Sequence, residues 1–465
     1  MSRGSDKFRS IAVIWFTPGK RQAVPALRAR YFAANQAGSV SQGLFSLQNR
    51  LYRLGVLASL ALLAGCGAAN TLGHQILGLN TGGSDTSGAV PSVFGYAVAD
   101  EPQAALVGRD ILNRGGNAVD AAAAEGFAQA VTLPSRGGLG GGGACLIKMP
   151  NADGKMQPPV MLEFPAGAPA ANEGDRPAAV PLLARGLLAM QARYGQLPQS
   201  AVIVPAERLA GGAQISQPLE SDLQVVGNAL LADPQAAAIF APGGQMLAEG
   251  ATFQQPDLAT TLENLRANGV SGLYAGTSAA QFAQAADAAG GGLTAQDLLD
   301  ATPKYGMPET TQQNGYAVAS LPAATAGTGE ALPASASFMT LDKNGGAVIC
   351  VTSMNNLFGT GRIAPGTGVL LAASPRTNPT PNLAAAMAYT TGSYAFRAAA
   401  TGTGQNEADE AARIGLANAL TGQNEPVPEP GRANIISCPG NVPGGEASCR
   451  ASAAPDGNGL AIGGR

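Results

Sequence analysis

A chain of 465 residues, 45% hydrophobic and 13% charged, with a formal net charge of −3, can bury one large core or two ordinary ones, and offers little to nucleic acid or an anionic membrane surface. It holds a single histidine, His74, so a Ser-His-Asp or Cys-His relay has one position from which to draw its imidazole, and a zinc site built on histidines is excluded. Any other nucleophile must find its base elsewhere, and neither a metal nor a cofactor is expected.

The first element in chain order is "RLGVLASLALLAGCG" (53–67). Arg50 and Arg53 precede an apolar run from Leu54 to Leu63, which is too short to span a bilayer as a helix but suits the apolar region of a signal peptide. Leu63-Ala64-Gly65-Cys66 closes the run and resembles the lipobox of bacterial lipoproteins, in which Cys66 would be lipidated and become the mature N-terminus. The expectation is a leader and signal peptide over 1–65, a Gly/Ser-rich tether over 66–93, and a periplasmic or envelope-anchored protein. The other reading is a buried helix with a chance cysteine. Residues 1–50 make an unusually long leader, so the start site is open to reassignment.

"GYAVAD" then reads as a strand, "PQAALVGRDILNRGG" as a helix stopped by Gly115-Gly116, and "NAVDAAAAEGFAQAVTL" as a second helix with Asn117 as cap. In "PSRGGLGGGGACLIKMP", Gly138, Gly140 and Gly143 satisfy G-x-G-x-x-G in form only. A dinucleotide loop needs a strand before and a helix after, and here the order is reversed. Close backbone packing is the preferred reading of these glycines. From about 180 to 300 the apolar spacing is helical, and strands are expected again from Tyr316. "SASFMTLD" and "GAVICVTSM" flank a tight "KNG" turn as an antiparallel hairpin. Cys438 and Cys449 bracket a Pro/Gly-rich loop that a local disulfide could close, while Cys145 and Cys350 lie in apolar strand-like runs and read as free buried thiols.

Several stretches together resemble the gamma-glutamyltransferase (gamma-glutamyltranspeptidase) family: "DILNRGGNAVDAAAA", "GLGGGGACLIKM", "AVPLLARGLLAMQARYGQLP", "PDLATTLENLRANGVSGLYAG", "GGGLTAQDLLD" and "LDKNGGAVICVTSMNNLFGTG". They run in the family's order across roughly 95 to 463. The resemblance implies an α/β (α+β) chain folded as the four-layer αββα sandwich of N-terminal-nucleophile hydrolases. Residues 94–334 would be the large-subunit-like part and 335–465 the small-subunit-like part of one domain. It also implies a precursor that cuts itself, freeing an α-amine that acts as base without any histidine.

The family's Thr-Thr-His motif falls on Ser335-Ala336-Ser337, so Ser335 is the implied nucleophile and the Ala334–Ser335 bond the implied cut. A Ser in an Ala/Ser/Pro linker is the alternative. Ser353 and Asn355 keep a hydroxyl and an amide where the family holds its nucleophile and substrate, and Gly402 or Gly404 falls on its oxyanion glycines. The family's carboxylate-binding arginine falls on Pro165, with Arg136 or Arg362 as candidates to replace it. Its amine-binding Gln and Asp fall near Ser374 to Thr377, where Arg376 has the opposite charge, and its Ser-Ser pair falls on Ala385-Ala386.

The implied activity is hydrolysis or transfer of a gamma-glutamyl-like acyl group from a small amide or peptide such as glutathione. A non-catalytic envelope lipoprotein with the same fold, or an acylase for less polar amides, are the other readings.

Overall fold

The structure, a computed structural model, describes residues 94–322, 335–378 and 382–464. The leader, the tether, Cys66 and Ala334 lie outside the described residues. β1 (Gly95–Ala99) is apolar and buried along its length. Glu101 caps helix α1 (Pro102–Asn113) by accepting the N–H of Ala104. Asn117 caps α2 (Ala118–Thr132) in a capping box with Asp120. α2 is buried at every position and carries small apolar residues on all sides, the pattern of an interior helix.

β2 (Gly142–Lys148) and β3 (Val160–Phe164) follow the glycine loop. Helices Leu183–Tyr194, Gln199–Ala210, Gln217–Leu230, Pro256–Asn268 and Gly276–Ala288 then fill the middle of the chain. Among them a two-residue ribbon pairs β4 (Ala213–Gln214) with β5 (Thr252–Phe253). Strands return at β6 (Lys304–Gly306) and β7 (Glu309–Gln313), before the expected Tyr316, where β8 (Tyr316–Ser320) begins. β7 reads Glu-Thr-Thr-Gln-Gln and is largely exposed, so it lacks the apolar alternation that marks a half-buried strand.

β9 (Ser335–Asp342) and β10 (Ala347–Ser353) form the expected hairpin, turned through Gly345 at φ 81°. A ribbon of β11 (Ile363–Ala364) and β12 (Val369–Leu370) follows. Then come β13 (Ala384–Tyr389), β14 (Phe396–Thr403), helix Ala408–Thr421, β15 (Arg432–Val442), β16 (Arg450–Ser452) and β17 (Leu460–Gly463).

Two antiparallel sheets result, in the orders β17-β1-β9-β10-β2-β3-β6 and β16-β15-β14-β13-β8-β7. α2 and its neighbouring helices cover the first sheet around Phe127, Phe164, Phe338 and Leu187. Helix Ala408–Thr421 covers the second around Ala398, Ala400 and Leu416. Between the sheets lie Val98, Leu146, Met339, Leu341 and Val351 from one side and Met387, Phe396, Ala399 and Ile436 from the other. This is the αββα sandwich. Because side chains alternate along a strand, the odd-numbered positions of β9 face the inter-sheet layer while Ala336 and Phe338 face the helices.

One expectation is corrected. Cys145 and Cys350 are not free thiols: they form a disulfide, with Cα atoms 4.1 Å apart. The cause is register, since the two residues sit directly opposite each other on β2 and β10. Cys438 and Cys449 form a second bridge, Cα–Cα 4.0 Å. Among the described residues no helix is long and apolar enough to cross a membrane, and no cluster of three or more His, Cys, Asp or Glu could hold a metal ion.

Candidate active site

Ser335 opens β9 and pairs across the ladder with Ser353, the last residue of β10. Ser353 in turn pairs with Gly142 of β2. These three positions therefore form one row at one end of the first sheet, on the face turned toward the second. Gly142 has to be glycine: a Cβ there would lie 2.2 Å from the Phe164 carbonyl oxygen. That contact brings the segment after β3, including Pro165 and Ala166, against the row and supports the packing reading of the glycine loop.

Ser335 is 2% exposed, and its Oγ has no hydrogen-bond partner among the described residues. The Ser353 Oγ accepts the Asn355 N–H at 2.8 Å. Asn355 turns the chain at φ 60°, a conformation Asn tolerates better than most residues. Its side-chain amide donates to the carbonyls of Ala373 at 2.9 Å and Ala166 at 3.3 Å. Its Oδ1 is buried and unpartnered among the described residues. Thr352 donates to the Ala336 carbonyl at 3.2 Å, and Gln129 donates to Thr352 at 3.2 Å, so α2 also fixes the start of β9. Ser335, Ser353 and Asn355 are thus brought together.

Gly402 and Gly404 are held by other contacts. Gly402 lies in β14, where a Cβ would sit 1.8 Å from the Ala408 carbonyl oxygen on the outer helix. Gly404, at φ 104°, makes its close approach to the Pro430 carbonyl. Both have a packing reason that the sequence reading does not require. Of the two arginines that are candidates to stand in for the one the resemblance places at Pro165, Arg136 is buried and bonded to Asp222 at 2.6 and 2.8 Å. Arg362 is bonded to Asp175 at 2.7 and 2.8 Å. A cavity of about 550 Å³ has Glu163, Pro165, Asp300 and Lys304 in its walls, and it reaches the row only through the segment at Pro165 that packs on Gly142.

The sequence reading missed a second group. Two residues along β9 on the same face, Ser337 joins Asp100, Thr401 and Asn434 in a buried hydrogen-bond network. Burial pushes the Asp100 carboxyl above its ordinary range, against hydrogen bonds from Ser337 and Asn434 and the charges of Arg136 and Arg432. A signal existed: Asn434 is a polar residue on the inward face of an otherwise apolar strand, "ANIIS".

The family model described as gamma-glutamyltranspeptidase matches residues 104–332, a stretch that ends just before Ser335. A glutathione hydrolase proenzyme from Escherichia coli (strain K12) is 35% identical over 254 residues, covering 50% of this chain and 43% of that protein. An acylase ACY 1 proenzyme from Pseudomonas sp. (strain V22) is 31% identical over 250 residues, covering 48% and 44%. The chain thus spans under half the length of these curated relatives. The crystal structure of a cephalosporin acylase from Bacillus halodurans shares the fold, with a TM-score of 0.64 at 17% identity over 82% of this chain and 97% of that one. Over residues 104–332 the chain is therefore similar in sequence to the gamma-glutamyltranspeptidase family, and its sandwich has the fold of the acylase.

Proposed function

We propose that this chain is an exported acyl-transfer enzyme that cuts itself before Ser335 and then uses Ser335 to hydrolyse or transfer an acyl group from a small amide. The observation that carries the reading is the Ser335 hydroxyl: it is buried at the head of a central strand, unpartnered among the described residues, and opposite a hydroxyl and an amide that are themselves anchored.

In the cut, the Ser335 Oγ attacks the Ala334 carbonyl and the chain shifts from amide to ester. Water then hydrolyses the ester, leaving a carboxylate on Ala334 and a free α-amine on Ser335. In turnover the α-amine takes the Oγ proton as the oxygen attacks the substrate amide. The leaving amine departs with a proton, and water or an acceptor amine takes the acyl group from the serine. An α-amine titrates at about 7.7–8.0 when unperturbed, which suits a base near neutral pH. Two disulfides fit an oxidising compartment outside the cytosol, and lipidation at Cys66 would hold the enzyme at the envelope.

The acyl group differs from a standard gamma-glutamyl group in this proposal. Pro165 stands at the cavity wall where the family resemblance places an arginine, and Arg136 and Arg362 are committed to carboxylates of the protein itself. This favours amides whose acyl part lacks a free amino-acid end, which is the acylase form of the activity.

Mass analysis of the purified protein after reduction tests the reading. Two fragments, one beginning at Ser335, are expected, and Ser335→Ala should remain whole and inactive. A wild-type chain that stays whole would refute the self-cutting enzyme and favour a non-catalytic envelope protein.

A further inference from the structure

We propose that Asp100 is a positioning residue for Ser335, clamping the strand that presents it through Ser337, Thr401 and Asn434. This rests on the reading of Ser335 as nucleophile.

β1 stops at Ala99, which pairs with Phe338, so the first three residues of β9 run past the end of their neighbour. Asp100 takes over there with both main chain and side chain. Its N–H donates to the Ser337 carbonyl at 3.0 Å. Its Oδ2 accepts the Ser337 N–H at 2.7 Å and the Ser337 hydroxyl at 3.3 Å. The second sheet closes the clamp. Asn434 on β15 donates to Asp100 Oδ1 at 2.7 Å and to Ser337 Oγ at 3.0 Å, and Thr401 on β14 donates to Ser337 Oγ at 2.8 Å. The Asn434 Oδ1 is fixed in turn by the Ala454 N–H at 2.9 Å, which settles which way its amide points.

All four side chains are buried and every lone pair and proton of the Ser337 hydroxyl is used. The next positions on the same face, Met339 and Leu341, are apolar and meet apolar partners. Cohesion between the sheets therefore does not need a carboxylate here, since well-packed apolar groups can replace a buried polar cluster without loss of stability. What the network adds is direction: one fixed geometry, two residues from the serine that has to meet a carbonyl, with the Ser335 hydroxyl itself unpartnered among the described residues.

The test exploits the donor and acceptor pattern. Asp100→Asn turns an amide toward the amide of Asn434, and Asn434→Asp sets two carboxylates together. The double variant Asp100→Asn/Asn434→Asp restores a donor facing an acceptor, with the roles exchanged. Self-cutting is followed from freshly synthesised precursor by mass after reduction, well below the thermal midpoint of each variant. Each single variant is expected to cut about 100-fold more slowly, the effect of a misplacement near 1 Å, and the double variant to recover most of the rate. Thr401→Val, which removes one donor, should slow cutting less and serves if a single variant does not fold.

A merely structural clamp would lower the midpoint and leave the rate unchanged; that result, or a double variant no faster than its slower parent, overturns the proposal. A cut wild type with Asp100→Asn cut equally fast overturns this inference alone. A wild type that is never cut overturns the reading of Ser335 as well.

Discussion

Cys145 belongs to the part before the proposed cut and Cys350 to the part after it, so their disulfide should hold the two fragments together covalently. The expected wild-type product is a single species under non-reducing conditions, heavier than the precursor by one water, that separates into two on reduction. The decisive perturbation is Cys145→Ala/Cys350→Ala. In the uncut chain the bridge spans 205 positions, so chain entropy alone assigns it about 5 kcal/mol. That corresponds to a fall in the thermal midpoint of roughly 6 °C for a domain of this size. The Cys438–Cys449 bridge spans 11 positions and is assigned about 3 kcal/mol on the same basis.

Cutting changes the character of the loss. The second fragment supplies β9 and β10, which sit between β1 and β2. Unfolding of the unbridged, cut protein therefore releases two chains, and its midpoint should rise with protein concentration, whereas that of the bridged protein should not. Differential scanning calorimetry at two concentrations, with and without reductant, reads this directly. Two free thiols titrating at Cys145 and Cys350 in denatured, unreduced wild type, or a double variant that melts like wild type at both concentrations, would rule out a stabilising bridge between the fragments.

Three further outcomes are expected. Asn355→Ala leaves the Ala373 and Ala166 carbonyls without their donor, so it should cost about 2 kcal/mol in chemical denaturation and slow self-cutting, with Asn355→Asp worse because it turns a carboxylate toward both carbonyls. Lys148 is buried in β2 and donates to Gly345 at 3.2 Å; burial lowers its pKa to about 7 against the pull of Asp342. The unfolded chain then binds the extra proton between about pH 7 and the ordinary lysine value, so stability rises with pH across that window, and Lys148→Met should raise the midpoint at pH 6 more than at pH 9. Glu125 is buried in α2 with neither carboxylate oxygen partnered among the described residues, and burial pushes its pKa well up. Its contribution is present at low pH and is lost as pH rises toward the folded-state pKa, so Glu125→Gln should gain stability relative to wild type on going from pH 5 to pH 8.

What could be read from the sequence follows from the range of the interactions involved. The cap at Asn117, the helix stop at Gly115 and the Lys343–Gly346 turn are written in adjacent residues, and the structure has them where the pattern puts them. The Cys145–Cys350 bridge depends on the register between β2 and β10, two strands that are distant in sequence, and apolar surroundings alone favour a free thiol there. β6 and β7 were hidden because edge strands with exposed, polar sequences carry no alternation to detect. Asp100 was hidden for another reason: it closes the "GYAVAD" strand just before a helix, and the residues its carboxylate meets are far away in sequence. Glu101 caps that helix, while Asp100 points its carboxylate to residues 237 and 334 positions away.

The contrast between Ser335 and Ser337 bears most directly on whether the first is a linker residue. Both lie on β9, on the same face, and both are no more than 2% exposed. Ser337 is satisfied by Asp100, Thr401 and Asn434, so its hydroxyl has a structural account. Ser335 has none among the described residues, and a buried, unpaired polar group costs about 1–3 kcal/mol. An alanine there would avoid that cost and keep the strand, as Ala336 does on the other face. The Oδ1 of Asn355, bonded through its backbone to the facing Ser353, carries a similar cost. Two such atoms at one end of the sandwich, where the strand is otherwise clamped from both sheets, are what a site needs if its reactive oxygen is to be spared for a substrate carbonyl. A linker serine, solvated and unclamped, would show neither.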